Sequence, residues 1–110
     1  MERWERLVLK EKNYQYEEVL EIVHTNLCGP IGVESYSGEQ FFILFVDDYY
    51  RMMIVMYLRE KSKAFQKFKW YLARVEKETR KKLKCLRSNR GGEFISNEFN
   101  NFCIERGIKR

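Results

Sequence analysis

The order of its apolar segments predicts an α/β fold for this chain, βββαβα, with a mixed sheet and an amphipathic helix packed on it. Three observations carry that expectation. The runs 19–27, 41–46 and 52–58 are apolar, strand-sized and separated by turn residues. Phe65, Phe68, Leu72 and Val75 then recur at helical spacing. A short apolar segment, 83–86, leads to a second helical pattern that closes the order.

Each element has its own signals. The first strand, 19–27, is ended by Cys28-Gly29-Pro30, and a Gly/Ser/Glu loop covers 32–40. The run 41–46 is almost continuously apolar, as a strand buried on both faces would be. Asp47-Asp48-Tyr49-Tyr50 supplies the turn and 52–58 returns, so the two runs form a hairpin. Aspartate favours such turns by hydrogen-bonding its own backbone, and Asp47 and Asp48 are read as turn residues instead of a metal site.

Ser62 is the expected N-cap of the long helix. Ala64 and Tyr71 join its apolar face, while Lys63, Lys67, Arg74, Lys77 and Lys81 occupy the opposite side. Glu76 with Arg80 and Glu78 with Lys82 have the i, i+4 spacing of favourable pairs. The strand 83–86 runs towards Asn89 and a Gly91-Gly92 turn. Ser96 then caps a second helix that turns Phe99, Phe102 and Cys103 inward, and Gly107 ends it. Residues 1–17 form an N-terminal segment with no predicted element, and 18–110 form one domain.

Composition fits a small folded unit. A chain of 110 residues supports one core, and eight Phe, seven Tyr and two Trp exclude a compositionally disordered chain. Cys28, Cys85 and Cys103 are odd in number and widely spaced, which argues against a disulfide framework or a thiolate metal cage and for reduced thiols. His24 is the single histidine, and a structural role is expected of it, since a catalytic base needs an orienting partner. The N-terminus alternates in charge, so it is no signal peptide, and no apolar run approaches a membrane span. The expectation is an intracellular protein, cytoplasmic or nuclear, without a membrane partner.

Charge is divided along the chain. Residues 1–60 hold six Lys/Arg against eleven Asp/Glu and residues 61–110 hold fifteen against five, which makes the halves minus five and plus ten. Lys81, Lys82, Lys84, Arg87 and Arg90 cluster in sequence and form the candidate nucleic-acid-binding set. Contacts from such a set to phosphates bind without reading sequence and weaken with salt.

Two phrases carry a more specific signal: His24-Thr25-Asn26-Leu27-Cys28-Gly29-Pro30 and Leu86-Arg87-Ser88-Asn89-Arg90-Gly91-Gly92-Glu93-Phe94. With ILFVDDYYRM, YLREKSKAFQKFK and GGEFISNEF in order around them, the chain from about residue 18 to 110 resembles the integrase core of copia-type retrotransposon polyproteins. The resemblance implies a ribonuclease-H-like fold, truncated here because the family's third acid, a glutamate, lies beyond the second motif and past Arg110. It also implies that Asn26 and Asn89 stand where the family carries metal-binding aspartates, and that the family's His/Cys zinc-binding segment is missing from 1–17.

Integrases hold two magnesium or manganese ions about 3.5 to 4 Å apart, and carboxylates make that possible. Asparagine brings no charge, so the expectation is a noncatalytic protein with no cofactor and no metal site. It would act by binding nucleic acid nonspecifically, or as a protein-interaction module that pairs with itself or with an intact integrase, or it is a retroelement remnant with no selected role. The truncation would also leave the strand 83–87 as an open sheet edge and expose part of an apolar face.

Overall fold

The computed structural model describes residues 4–8 (backbone only), 19–30, 38–49, 52–88 and 96–110. Among the described residues five strands form one sheet: β1 (Trp4–Val8), β2 (Val23–Cys28), β3 (Phe41–Asp47), β4 (Met52–Leu58) and β5 (Leu86–Ser88). Two α-helices among the described residues, α1 (Ala64–Thr79) and α2 (Asn97–Glu105), pack on it. The sheet order is β1-β4-β3-β2-β5, antiparallel throughout except for the parallel pair β2 and β5.

The expected order therefore holds, with one strand added in front. Sequence pattern missed β1 because Trp4-Glu5-Arg6-Leu7-Val8 does not alternate cleanly. What makes it a strand is backbone pairing with β4, from Trp4↔Met56 to Val8↔Met52, and an edge position tolerates charged residues.

Several boundaries also move for physical reasons. β2 starts at Val23 instead of 19, because Leu20 takes a left-handed conformation (φ 63°) that no strand accommodates. Ser62 does not cap α1: it lies inside a 3-10 turn, Lys61–Lys63, and the helix starts from Lys63 without a side-chain cap. α1 stops at Thr79 with Arg80 left-handed (φ 58°), so Glu78 and Lys82 are not on successive turns. The ion pairs formed instead are Arg74 with Glu78 at 3.0 Å and Glu76 with both Lys82 and Arg106 at 3.7 Å.

The core lies between the sheet and the two helices. Val23, Ile43, Phe45, Ile54, Met56, Leu58 and Leu86 face Phe68, Tyr71, Leu72 and Val75 of α1 and Phe99 and Cys103 of α2. Aromatic rings form its spine. Phe45 stacks on Tyr71 at 4.2 Å between centroids and Phe68 on Phe99 at 5.0 Å, with Phe65 and Phe102 packed edge-on nearby. The other sheet face is less covered: Phe42, Leu44 and Val46 of β3 alternate with the buried residues and are half-buried, so β3 is not enclosed on both sides as its sequence implied.

Two local devices match their sequence signals closely. Ser96 accepts the Phe99 N–H at 3.2 Å and caps α2. At the other end Gly107 (φ 69°) turns the chain, with Ile108 N–H donating to Cys103 O and Gly107 N–H to Ile104 O, the paired bonds of a Schellman C-cap. Gly29 meets a different demand. With φ 134°, a Cβ there would fall 2.6 Å from the Phe41 ring and 2.8 Å from Gln40 O.

Candidate nucleic-acid interface

The two degenerate motif strands are neighbours. β2 and β5 run parallel with Val23↔Leu86, His24↔Arg87 and Thr25↔Ser88 in register. Strand alternation buries Val23 and Thr25 against the helices and exposes His24 and Asn26 on the opposite face. Asn26 Nδ2 lies 3.6 Å from Cys28 Sγ, two residues along the same face. Asn89 and Arg90, named from the sequence, lie outside the described residues.

The adjacent acids have other work. Asp47 is 5% exposed and its carboxylate accepts the N–H of Leu20 (3.3 and 3.4 Å to its two oxygens) and of Tyr49 (3.2 Å). The first of those bonds joins residues far apart in sequence and secures the left-handed turn that starts β2. Burial pushes the Asp47 carboxyl above its ordinary range, while the Tyr49 and Leu20 N–H groups pull it back and the neighbouring Asp48 adds to the rise. Asp48 Oδ1 lies 3.4 Å from His24 Nε2, and its backbone N–H donates to Ile22 O at 3.1 Å. Asp48 and Tyr49 form the turn as read from the sequence, whereas Asp47 is the last residue of β3 and ties it to Leu20, ahead of β2.

Among the described residues, no three of His, Cys, Asp and Glu come together as a metal group. The cysteines are free thiols. Cys103 is buried, and burial raises its pKa above the usual thiol value, an effect that Arg110 opposes.

The candidate cations divide into two groups. Lys81 and Lys82 stand exposed on the loop after α1, with the Lys81 N–H donating to Thr79 Oγ1 and Lys82 paired loosely to Glu76. That pair counts for little, because the Lys82 side chain is 85% exposed. Glu76 has a firmer task in accepting the Leu83 N–H at 2.8 Å, which ties the loop to α1.

Lys84 and Arg87 belong to the second group, around a cavity of about 550 Å³ at the sheet edge. Its lining is Glu21, Ile22, Lys84, Cys85, Arg87, Lys109 and Arg110, four cations to one carboxylate.

Lys109 and Arg110 are absent from the sequence-named set, and only topology recruits them. After the Gly107 turn, Lys109 N–H donates to Lys84 O at 2.9 Å and Leu86 N–H donates to Lys109 O at 2.8 Å. An isolated parallel bridge between Cys85 and Lys109 thus satisfies the backbone just before β5, while β5 itself remains the outermost strand of the sheet, so the expected open edge along 83–87 is covered only around Cys85. Arg110 lies over the Phe99 ring at 4.6 Å and reaches Asn100 Oδ1 and Ser88 Oγ. The pair Lys109-Arg110, two and three residues past the C-capping Gly107, was the available signal.

No family model matches the chain. The chain is 43% identical over 91 residues, 83% of its length, to the retrovirus-related Pol polyprotein from transposon TNT 1-94 of Nicotiana tabacum, of which it spans 7%. Among solved structures it is similar to a chain of the simian T-cell lymphotropic virus intasome in complex with PP2A regulatory subunit B56 gamma, with a TM-score of 0.67 and 11% identity. That match covers 94% of this chain and 36% of the other. At that identity the likeness establishes the fold. Among the described residues no helix is long and apolar enough to cross a membrane.

Proposed function

We propose a function for a chain that belongs to the retrotransposon Pol polyprotein family, as an integrase-like domain of it: nucleic-acid binding through the basic surface of 61–110, without metal-dependent catalysis. The observation that carries the binding reading is the sheet-edge cavity, where Lys84, Arg87, Lys109 and Arg110 outnumber Glu21. Lys81 and Lys82 extend that charge along the adjoining loop. Exposed cations on a mixed scaffold bind phosphates through released counterions, an attraction indifferent to base sequence.

The divalent ions used by integrases do not fit the described residues of the β2–β5 seam. That face presents His24, Asn26 and Arg87, in which Asn26 is neutral, Arg87 is a cation in register with His24, and the Asp48 carboxylate beside His24 is buried and lies 3.4 Å from its Nε2. A hard cation such as magnesium needs carboxylate oxygens there. Asp47 pairs with Val23, three residues and about 10 Å along the strand from Asn26, and its oxygens are already held by backbone N–H groups. No catalytic step is therefore assigned to this seam.

Fluorescence anisotropy on labelled duplex DNA tests the binding. Affinity is expected to be independent of sequence and to fall with salt, and replacing Lys81, Lys82, Lys84 and Arg87 by alanine should shallow the log-log slope by about one per lost contact. No binding at low salt, or unchanged binding by the quadruple variant, removes the reading. Magnesium- or manganese-stimulated cleavage that survives repurification and disappears in Asn89→Ala would overturn the noncatalytic part.

A second reading, pairing with another protein chain, is favoured by the half-buried apolar sheet face of Phe42, Leu44, Val46, Met53 and Tyr57. Sedimentation of the pure chain across a concentration series distinguishes it: self-association abolished by Leu44→Lys supports pairing through that face.

A further inference from the structure

One tryptophan stands in the middle of the basic face of α1. Lys63, Lys67, Trp70, Arg74 and Lys77 follow one another at intervals of four, three, four and three, which places them on a single side of the helix over about 21 Å. That side points away from the core, whose share of α1 is Ala64, Phe68, Tyr71, Leu72 and Val75. Trp70 is 41% exposed. The other α1 aromatics, Phe65, Phe68 and Tyr71, are half-buried or fully buried in the spine described above.

With two-fifths of its surface in water, this indole contributes less to folding than the buried aromatics of α1, so its position is open to another explanation. Lys67 Nζ lies 4.8 Å from the Trp70 ring centroid, and Glu78 on the flank pairs with Arg74 and holds its guanidinium along the helix. The stripe thus combines a flat aromatic surface with cations on both sides along the axis. A polyanion alone would need only the cations and an apolar partner only the ring. The partner that offers both is a nucleic acid whose bases are not already stacked, because duplex pairing hides the base faces. A second copy of this stripe fits poorly, since it would set like charges against each other.

We propose that this face of α1 binds single-stranded nucleic acid, with a base stacked on Trp70 and flanking phosphates on Lys63, Lys67, Arg74 and Lys77. The inference rests on the nucleic-acid reading above but uses a different surface from the sheet-edge cavity, and it specifies strandedness. DNA and RNA share the required chemistry. Stacking on an exposed aromatic tolerates any base, so little sequence preference is expected.

The test uses the whole chain with Trp4→Phe, so that Trp70 is the sole indole. Titration with oligo-dT, oligo-rU and a duplex of equal length is followed by tryptophan emission and, with labelled strands, by anisotropy. Binding of either single strand should quench Trp70, and duplex should not. Trp70→Ala should weaken single-strand affinity by roughly tenfold, while Trp70→Phe keeps most of it and shows that the fold is intact. Lys67→Gln with Lys77→Gln should shallow the single-strand salt slope by about 1.4. Unchanged Trp70 emission at saturation, or equal loss of duplex and single-strand affinity in Trp70→Ala, overturns the proposal, as does Trp70 quenching by protein concentration alone. If duplex binds through Lys81, Lys82, Lys84 and Arg87 while Trp70 stays silent, this inference fails and the broader reading stands. If no nucleic acid binds at all, both fail.

Discussion

The turn that joins β3 to β4 and the sheet edge beyond β5 are both charged, and they use charge in opposite ways. At the turn, Asp47 and Asp48 are each 5% exposed and are committed to backbone N–H groups or to His24. At the edge, Lys84, Arg87, Lys109 and Arg110 surround a cavity and lie in exposed residues. The acids are part of how the chain folds. The four cations lie in exposed residues, with Arg110 also engaged with Asn100, Ser88 and the Phe99 ring.

The aromatic stack that joins the two halves sets the scale of the largest effect. Phe68 is fully buried between Phe45 of the sheet and Phe99 of α2, and Phe68→Ala should cost about 3–5 kcal/mol in chemical denaturation. A loss below about 1 kcal/mol would mean that the helices do not pack on the sheet through this ring.

Next in size is the contrast itself. Asp47→Ala strands the N–H groups of Leu20 and Tyr49 and should cost about 2–3 kcal/mol. Arg87→Ala and Lys109→Ala, both at exposed residues, should each stay within about 0.5 kcal/mol while weakening duplex binding. Equal destabilisation by the acid and cation variants would break the comparison.

A smaller effect is the pH dependence carried by Asp47. Its folded pKa is raised, so just above the ordinary carboxylate range the folded state holds a proton that the unfolded state has released, and stability falls as pH rises through that window. The gain on acidification should vanish in Asp47→Asn, measured as the difference in Tm between variant and parent at each pH. A parallel pH profile for the two proteins would refute the assignment.

The smallest expected signal concerns the asparagines. β2 and β5 are parallel neighbours up to Thr25↔Ser88, one residue before Asn26 and Asn89. The double change Asn26→Asp with Asn89→Asp should place two carboxylates close enough to repel in chelator and to regain stability when magnesium or manganese is added, with no response from the parent. Identical metal responses would show that the two positions do not share a site.

Much of the architecture was legible from residue pattern because its elements are locally determined. The helical spacing of Phe65, Phe68, Leu72 and Val75, the Ser96 cap and the Gly107 stop each act within a turn or two of chain. Among the candidate site residues, Lys84 and Arg87 were legible as basic positions and do meet at one cavity, whereas Lys81 and Lys82 stand apart on their loop.

Sequence alone determined the apolar periodicities, the polarity of the two halves and the presence of neutral Asn26 and Asn89 at motif positions, since all of these follow from residue identity and spacing. Only the tertiary structure decided that a charged segment, Trp4–Val8, becomes an edge strand, that Asp47 holds Leu20 from 27 residues away, and that Lys109 returns beside Lys84. Each of those is a backbone hydrogen-bonding requirement met across the fold. Main-chain donors and acceptors are the same at nearly every residue, so their long-range partners leave no mark in side-chain pattern.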